Sequence, residues 1–314
     1  MLDFLYFSIL SSVIVLIIGL AVLIKSADHF TGISEKIGHI LGIPQFIVGI
    51  TIVSIGTSIP ELATSIVAVF SRATEFVVAN AVGSNITNIL LVGGVAALLT
   101  KGLKVKDEIL RVDIPLIVGS ALLITFLLWD GVFSFMEAVF CLILYTAYII
   151  NIAKSHLDKK KIKEHFEYKW ILVLFVSIVG IYLGAKFSVD AVNALTIFLG
   201  FSDTSIIAIT IVALGTSLPE LMVSVMAAIK KNFDMSIGNI IGSNVFNSFV
   251  VIGVPGLFTA LKVSRSTILM GLPLMMIATL LISFAAIKKK LSRIEGVMYL
   301  IFYLIFIFLI YYIV

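Results

Sequence analysis

The chain carries one cysteine, six prolines and four histidines in 314 residues, and only 13% of its residues are charged. A lone Cys141 excludes an intramolecular disulfide and any cysteine-based metal centre. It stands in an apolar run and reads as packing filler. Soluble domains average about 25% charged residues, so there is too little polar material here to coat a water-facing surface. The opening MLDFLYFSIL has no basic region and reads as a first membrane span rather than a cleaved signal. The net charge of +4 is no nucleic-acid footprint, because the lysines and arginines are confined to short loops.

What is present is apolar: 61% hydrophobic residues and a mean hydropathy of +1.19. Runs near or above the ~20 residues that carry a helix across a bilayer recur along the whole length. They define ten spans, at about 4–26, 45–71, 75–99, 113–130, 133–153, 170–190, 205–229, 234–260, 267–287 and 295–314. The polar stretch HFTGISEKIGHILGIP reads as the connection between the first two, and the length of 45–71 predicts a tilted or interrupted helix. Eighteen of the 22 lysines and arginines then follow odd-numbered spans; only Arg72, Lys186, Lys262 and Arg265 fall on the other side. By the positive-inside rule the richer side is cytoplasmic. A multi-pass protein of the cell membrane is expected, with both termini outside.

The sequence also repeats itself. ITIVSIGTSIPELATSIVAVF at 50–70 matches ITIVALGTSLPELMVSVMAAI at 209–229, and NAVGSNITN at 80–88 matches NIIGSNVFN at 239–247. Every matched pair is offset by 159 residues, about half the chain. Chance explains shared Ile and Val but not GTSxPE and GSNxxN at one offset. Each half holds five spans, an odd number, so the second copy starts on the opposite side of the membrane. The expected fold is an all-α membrane protein of ten transmembrane helices in two inverted five-helix repeats, with broken helices at an ion site. The repeats are 1–153, with its motifs within 40–100, and 170–314, with its motifs within 199–260. The basic segment 154–169 is their cytoplasmic linker. Inverted repeats typically place a transport site at their interface near mid-membrane.

A carboxylate deep in a span is costly and marks a functional site by default. Glu61 and Glu220 stand about sixteen and fifteen residues into their spans. Glu137, a few residues inside its own span, is a secondary candidate. Pro60 and Pro219 offer no N–H to the carbonyls of Gly56 and Gly215, so each helix should kink or break, freeing carbonyls around Ser54 and Ala213. Thr57 and Ser58 precede Glu61 by four and three residues, as Thr216 and Ser217 precede Glu220, so their oxygens share a helix face. Ser84 with Asn88, and Ser243 with Asn247, add hydroxyls and carboxamides. The pooled set is all oxygen. Hard cations want such a shell, Ca2+ taking about six to eight oxygens, whereas soft metals want thiolate or imidazole. Two carboxylates neutralise one Ca2+ or two monovalent cations, and that competition is a physical basis for antiport.

With GTSxPE and GSNxxN each present twice, the sequence resembles the sodium/calcium exchanger family of the cation/Ca2+ exchanger superfamily, in its prokaryotic form. The resemblance implies exchange of Na+ for Ca2+ by alternating access. It implies Glu61 and Glu220 as shared ion carboxylates and Thr57, Ser58, Thr216, Ser217, Ser84 and Ser243 as oxygen donors. Ser54 and Ala213 would lend main-chain carbonyls, with Asn88 and Asn247 at the centre. Two positions depart from pattern: Ala79 stands opposite Gly238, and Asn247 occupies a position that is Asp in several family members, including potassium-dependent exchangers. Two carboxylates rather than three predict no K+ requirement. No cofactor, nucleic acid or obligate protein partner is called for; inorganic cations are the expected substrates and the lipid bilayer the expected surroundings.

Proton/Ca2+ antiport and a cation channel remain as alternative readings. An enzyme is disfavoured: HExxH is absent, and His29, His39, His156 and His165 all lie outside the motif spans.

Overall fold

A computed structural model of the chain describes residues 8–100, 102–104, 107–156, 167–198 and 215–313. In the first half, α1 is Ile9–Leu41, and a broken rod follows as α2 (Gln45–Val48), a π-turn (Gly49–Val53), α3 (Ser54–Thr57) and α4 (Ile59–Phe70). Then come α5 (Thr74–Thr87), a π-turn (Asn88–Val92), α6 (Gly93–Thr100), α7 (Asp107–Leu127) and α8 (Phe135–His156). In the second half, α9 is Lys169–Phe198, α10 Leu218–Ile229 and α11 Phe233–Phe246, followed by a π-turn (Asn247–Val251) and α12 (Gly253–Gly256). A π-turn at Thr267–Gly271 leads into α13 (Leu272–Ile287), and α14 is Arg293–Ile313.

Seven helices among the described residues are long and apolar enough to cross a membrane. Their outward faces carry large bare side chains such as Phe126, 78% exposed, and Leu304, 67% exposed. In water such a surface would be a liability, and in lipid it is at home. The chain is a helical, multi-pass membrane protein. The most apolar stretch of Phe233–Gly256 is 94% buried, against 17% for that of α1. The motif-bearing helices therefore form the core, and the others wrap it.

Two expectations change. The polar stretch after the first span is not a loop, because α1 runs unbroken to Leu41. Phe30, Thr31, Ser34, Ile37, Gly38 and Ile40 are buried along it at helical spacing, and polarity alone hid that period. Gly42 ends the helix in the left-handed conformation at φ 65°, and the Ile43 N–H returns to the Gly38 carbonyl at 2.8 Å. Likewise α9 continues to Phe198, past the expected end at 190. The segment 205–214, and most of the linker, lie outside the described residues. The long α1 and α9 lie against each other through small residues: a Cβ on Gly184 would stand 2.6 Å from the Leu23 backbone nitrogen.

Four two-residue strands tie helix ends together. β1 (Leu103–Lys104) pairs antiparallel with β4 (Lys290–Leu291), and β2 (Val132–Phe133) with β3 (Leu261–Lys262). Elsewhere Lys36 sits 4.4 Å from the Trp170 ring centre, and Lys230 Nζ reaches the Asp28 carboxylate at 2.7 Å.

Candidate functional site

Both GTSxPE segments break their helices at the serine. Ser58 has φ −90° and ψ 6°, and Ser217 has φ −89° and ψ 2°. A new helix starts at the next residue, so Pro60 and Pro219 take the second helical position, where a missing N–H leaves no bond unmade. Glu61 and Glu220 fall third, in a first turn whose positive dipole end favours a carboxylate. The expected freeing of the Ser54 carbonyl does not occur: it accepts the Ser58 N–H at 3.0 Å and the Thr57 hydroxyl at 3.3 Å. The helical ladder runs as far as Ser58, so the interruption falls one turn later than expected. Ala213 lies outside the described residues. On the GSNxxN helices, Asn88 and Asn247 each open a π-turn, a distortion that recurs at functional sites.

The two segments meet across the halves of the chain. Ser58 Oγ donates to Glu220 Oε1 at 2.8 Å, and Thr57 Oγ1 donates to Asn239 Oδ1 at 3.2 Å. Asn239 Nδ2 in turn donates to Ser224 Oγ at 2.8 Å. Of the expected site residues, Ser54, Thr57, Ser58, Glu61, Ser84, Asn88, Thr216, Ser217, Glu220, Ser243 and Asn247 are all buried. Many of their polar atoms have no hydrogen-bond partner among the described residues: both oxygens of Glu61, Oε2 of Glu220, the hydroxyls of Ser84 and Ser217, and the carboxamides of Asn88 and Asn247. No group of three or more His, Cys, Asp and Glu side chains gathers anywhere among the described residues. The donor set is thus two carboxylates among neutral oxygens.

Asn239, Ser224, Asn80 and Ser65 lie outside the site set expected from the sequence, although Asn80 and Asn239 belong to its repeated motif, and all four are buried here. A signal was available, since Ser65 and Ser224, like Asn80 and Asn239, are polar residues repeated at the same 159-residue offset. Glu137 resolves as structural. Its carboxylate accepts the Ser134 N–H at 2.6 Å at the start of α8, and Glu295 accepts the Ser292 N–H at 2.8 Å at the start of α14. These matched capping boxes carry the repeat beyond its two motifs.

The description of the sodium/calcium exchanger protein family matches residues 11–153 and 169–312. The chain belongs to the sodium/calcium exchanger family. Family and fold are those of a transporter, not an enzyme. Sodium/calcium exchanger MaX1 of Methanosarcina acetivorans is 33% identical, over 96% of this chain and 98% of its own. Inner membrane protein YrbG of Escherichia coli is 32% identical, over 78% of this chain and 79% of its own. The sodium-calcium exchanger NCX_Mj, in crystals soaked with Na+ and Sr2+, superposes with a TM-score of 0.85 at 30% identity, covering 95% of this chain and 98% of that one.

Proposed function

We propose that the protein is a secondary antiporter that exchanges Na+ for Ca2+ by alternating access, with the ions held at mid-membrane between two inverted five-helix repeats. One observation carries the reading: Glu61 and Glu220 are buried, Ser58 of one repeat donates to Glu220 of the other, and the motif residues keep carboxylate, hydroxyl and carboxamide oxygens without partners among the described residues. An ionised carboxylate costs tens of kcal/mol to strand in a low-dielectric interior, so a site of this kind is stable when a cation supplies the missing charge. Thr57, Ser58, Ser84 and Asn88 would complete the shell from one repeat. Thr216, Ser217, Ser243, Asn247 and Ala213 would complete it from the other.

The ten-span path has support of its own. On that path the odd-numbered connections share one face and the even-numbered ones the other. The β1–β4 and β2–β3 pairs, the Lys36–Trp170 contact and the Lys230–Asp28 ion pair each join ends that fall on one side. The loop charges put the odd side in the cytoplasm, the 154–169 linker there too, and both termini outside.

In proteoliposomes an outward Na+ gradient should drive uptake of radiolabelled Ca2+, with the same rate whether or not K+ is present. Uptake that follows an imposed pH gradient instead would replace Na+ with H+ as the coupling ion. Flux without counter-ion would make the protein a channel.

Asn247→Asp tests the charge count. A third carboxylate in the shell should change the Na+ concentration that half-inhibits Ca2+ binding by about tenfold or more, the scale of a charged hydrogen-bond partner. An unchanged Na+ dependence would put Asn247 outside the ion shell.

A further inference from the structure

The two copies share their GTSxPE and GSNxxN residues and break at the same serine, yet their polar side chains are not paired alike. Thr57 and Ser58 of the first copy close onto the second: Thr57 binds Asn239, Ser58 binds Glu220, Asn239 binds Ser224, and Ser243 reaches Asn239 Oδ1 at 3.5 Å. The mirror set is Ser217 of the second copy with Glu61, Asn80, Ser65 and Ser84 of the first. Every one of these five has a buried polar atom without a partner among the described residues: the hydroxyls of Ser217, Ser65 and Ser84, both carboxylate oxygens of Glu61, and Nδ2 of Asn80. Five matched pairs differ in one direction although the members of each pair are identical and offset by 159 residues; beside them, Ala79 precedes Asn80 where Gly238 precedes Asn239. The two sets of identical side chains stand in different arrangements.

We propose that Asn239 and Asn80 are positioning residues that work as alternating clasps, each locking one repeat's glutamate helix to the other repeat's broken segment. Asn239 is engaged in the arrangement seen here, and Asn80 takes over in the opposite one. Neither touches the ions; each acts through the carboxylate and hydroxyls it holds in place. Each clasp has its own matched groups, and access alternates by rocking one repeat against the other; that rocking closes one clasp as it opens the other. Asn80 Nδ2, a buried donor that no cation can satisfy, recovers its cost when its clasp closes. This rests on the exchange reading above and adds to it the residues that bias the two states.

The test uses the full chain in right-side-out and inside-out membrane vesicles, with the apparent affinity for Ca2+ measured at each face. Asn239→Ala removes the closed clasp and shifts the population towards the other state; Asn80→Ala does the reverse. The ratio of the two apparent affinities should move about fivefold in opposite directions for the two variants, as expected for the loss of about one net hydrogen bond from one state of a two-state equilibrium. Ser224→Ala and Ser65→Ala weaken the same clasps with a smaller perturbation, and should move the ratio with the same opposed signs should the asparagine variants fail to fold. Equal weakening at both faces, or an unmoved ratio beside normal wild-type exchange, overturns the clasps and leaves the transport reading intact. A wild-type protein with no Na+-driven Ca2+ uptake overturns both.

Discussion

Protein carrying Glu61→Gln inserts and folds, but loses Na+-driven Ca2+ uptake by at least about 100-fold, and Glu220→Gln does the same. The substitution keeps the shape of the side chain and removes its charge. Breaking a buried charge pair by deleting one partner costs about 3–5 kcal/mol, and each 1.4 kcal/mol is worth about tenfold in affinity. With only two carboxylates in the shell, one remaining charge cannot neutralise a divalent ion. Folding should survive because neither oxygen of Glu61 is engaged in a hydrogen bond among the described residues. Glu220 differs: it accepts from Ser58 at 2.8 Å, so its glutamine variant should also lose some thermal stability. Flux assays on purified, reconstituted variants decide the matter. Near-normal exchange by either one removes that glutamate from the site.

The glutamates were legible in the sequence because a repeated motif is a signal that survives without coordinates, and because an acid deep in an apolar run has few structural uses. The breaks were legible for a related reason, since Pro in a helix interior has a definite steric consequence. Their position was not. A ladder that runs through Ser58 satisfies the Ser54 carbonyl, and only the backbone angles reveal it. The π-turns at Asn88 and Asn247 were illegible too, because one extra residue per turn leaves no mark on an apolar sequence. The extension of α1 to Leu41 was there to be read in the spacing of Phe30, Ser34, Ile37 and Ile40, but polarity argued against a span and masked a helix. What no single-chain pattern could supply is which residue of one copy meets which of the other. The bonds from Ser58 to Glu220 and from Thr57 to Asn239 cross 162 and 182 residues, and only the folded chain brings those residues together.

The mismatch between Ala79 and Gly238 gives the other large expected effect. A Cβ at Gly242 would stand 2.6 Å from the Ile50 carbonyl oxygen, one at Gly49 would stand 2.5 Å from that of Met235, and one at Gly238 would press on that of Phe46. These are backbone atoms, which cannot rotate away, so the rod of α2 and α3 would have to lift off α11. Overpacking typically costs about 1–3 kcal/mol and more where nothing yields. Gly238→Ala should therefore lower the unfolding temperature of the purified protein. It should also suppress exchange by at least about tenfold, because α11 carries Asn239 and Ser243 and leads into Asn247. The reverse exchange, Ala79→Gly, changes only helix propensity, worth about 1 kcal/mol, and should leave transport near normal. Equal effects from the two substitutions would mean that the close approach at Gly238 is not what holds the site together.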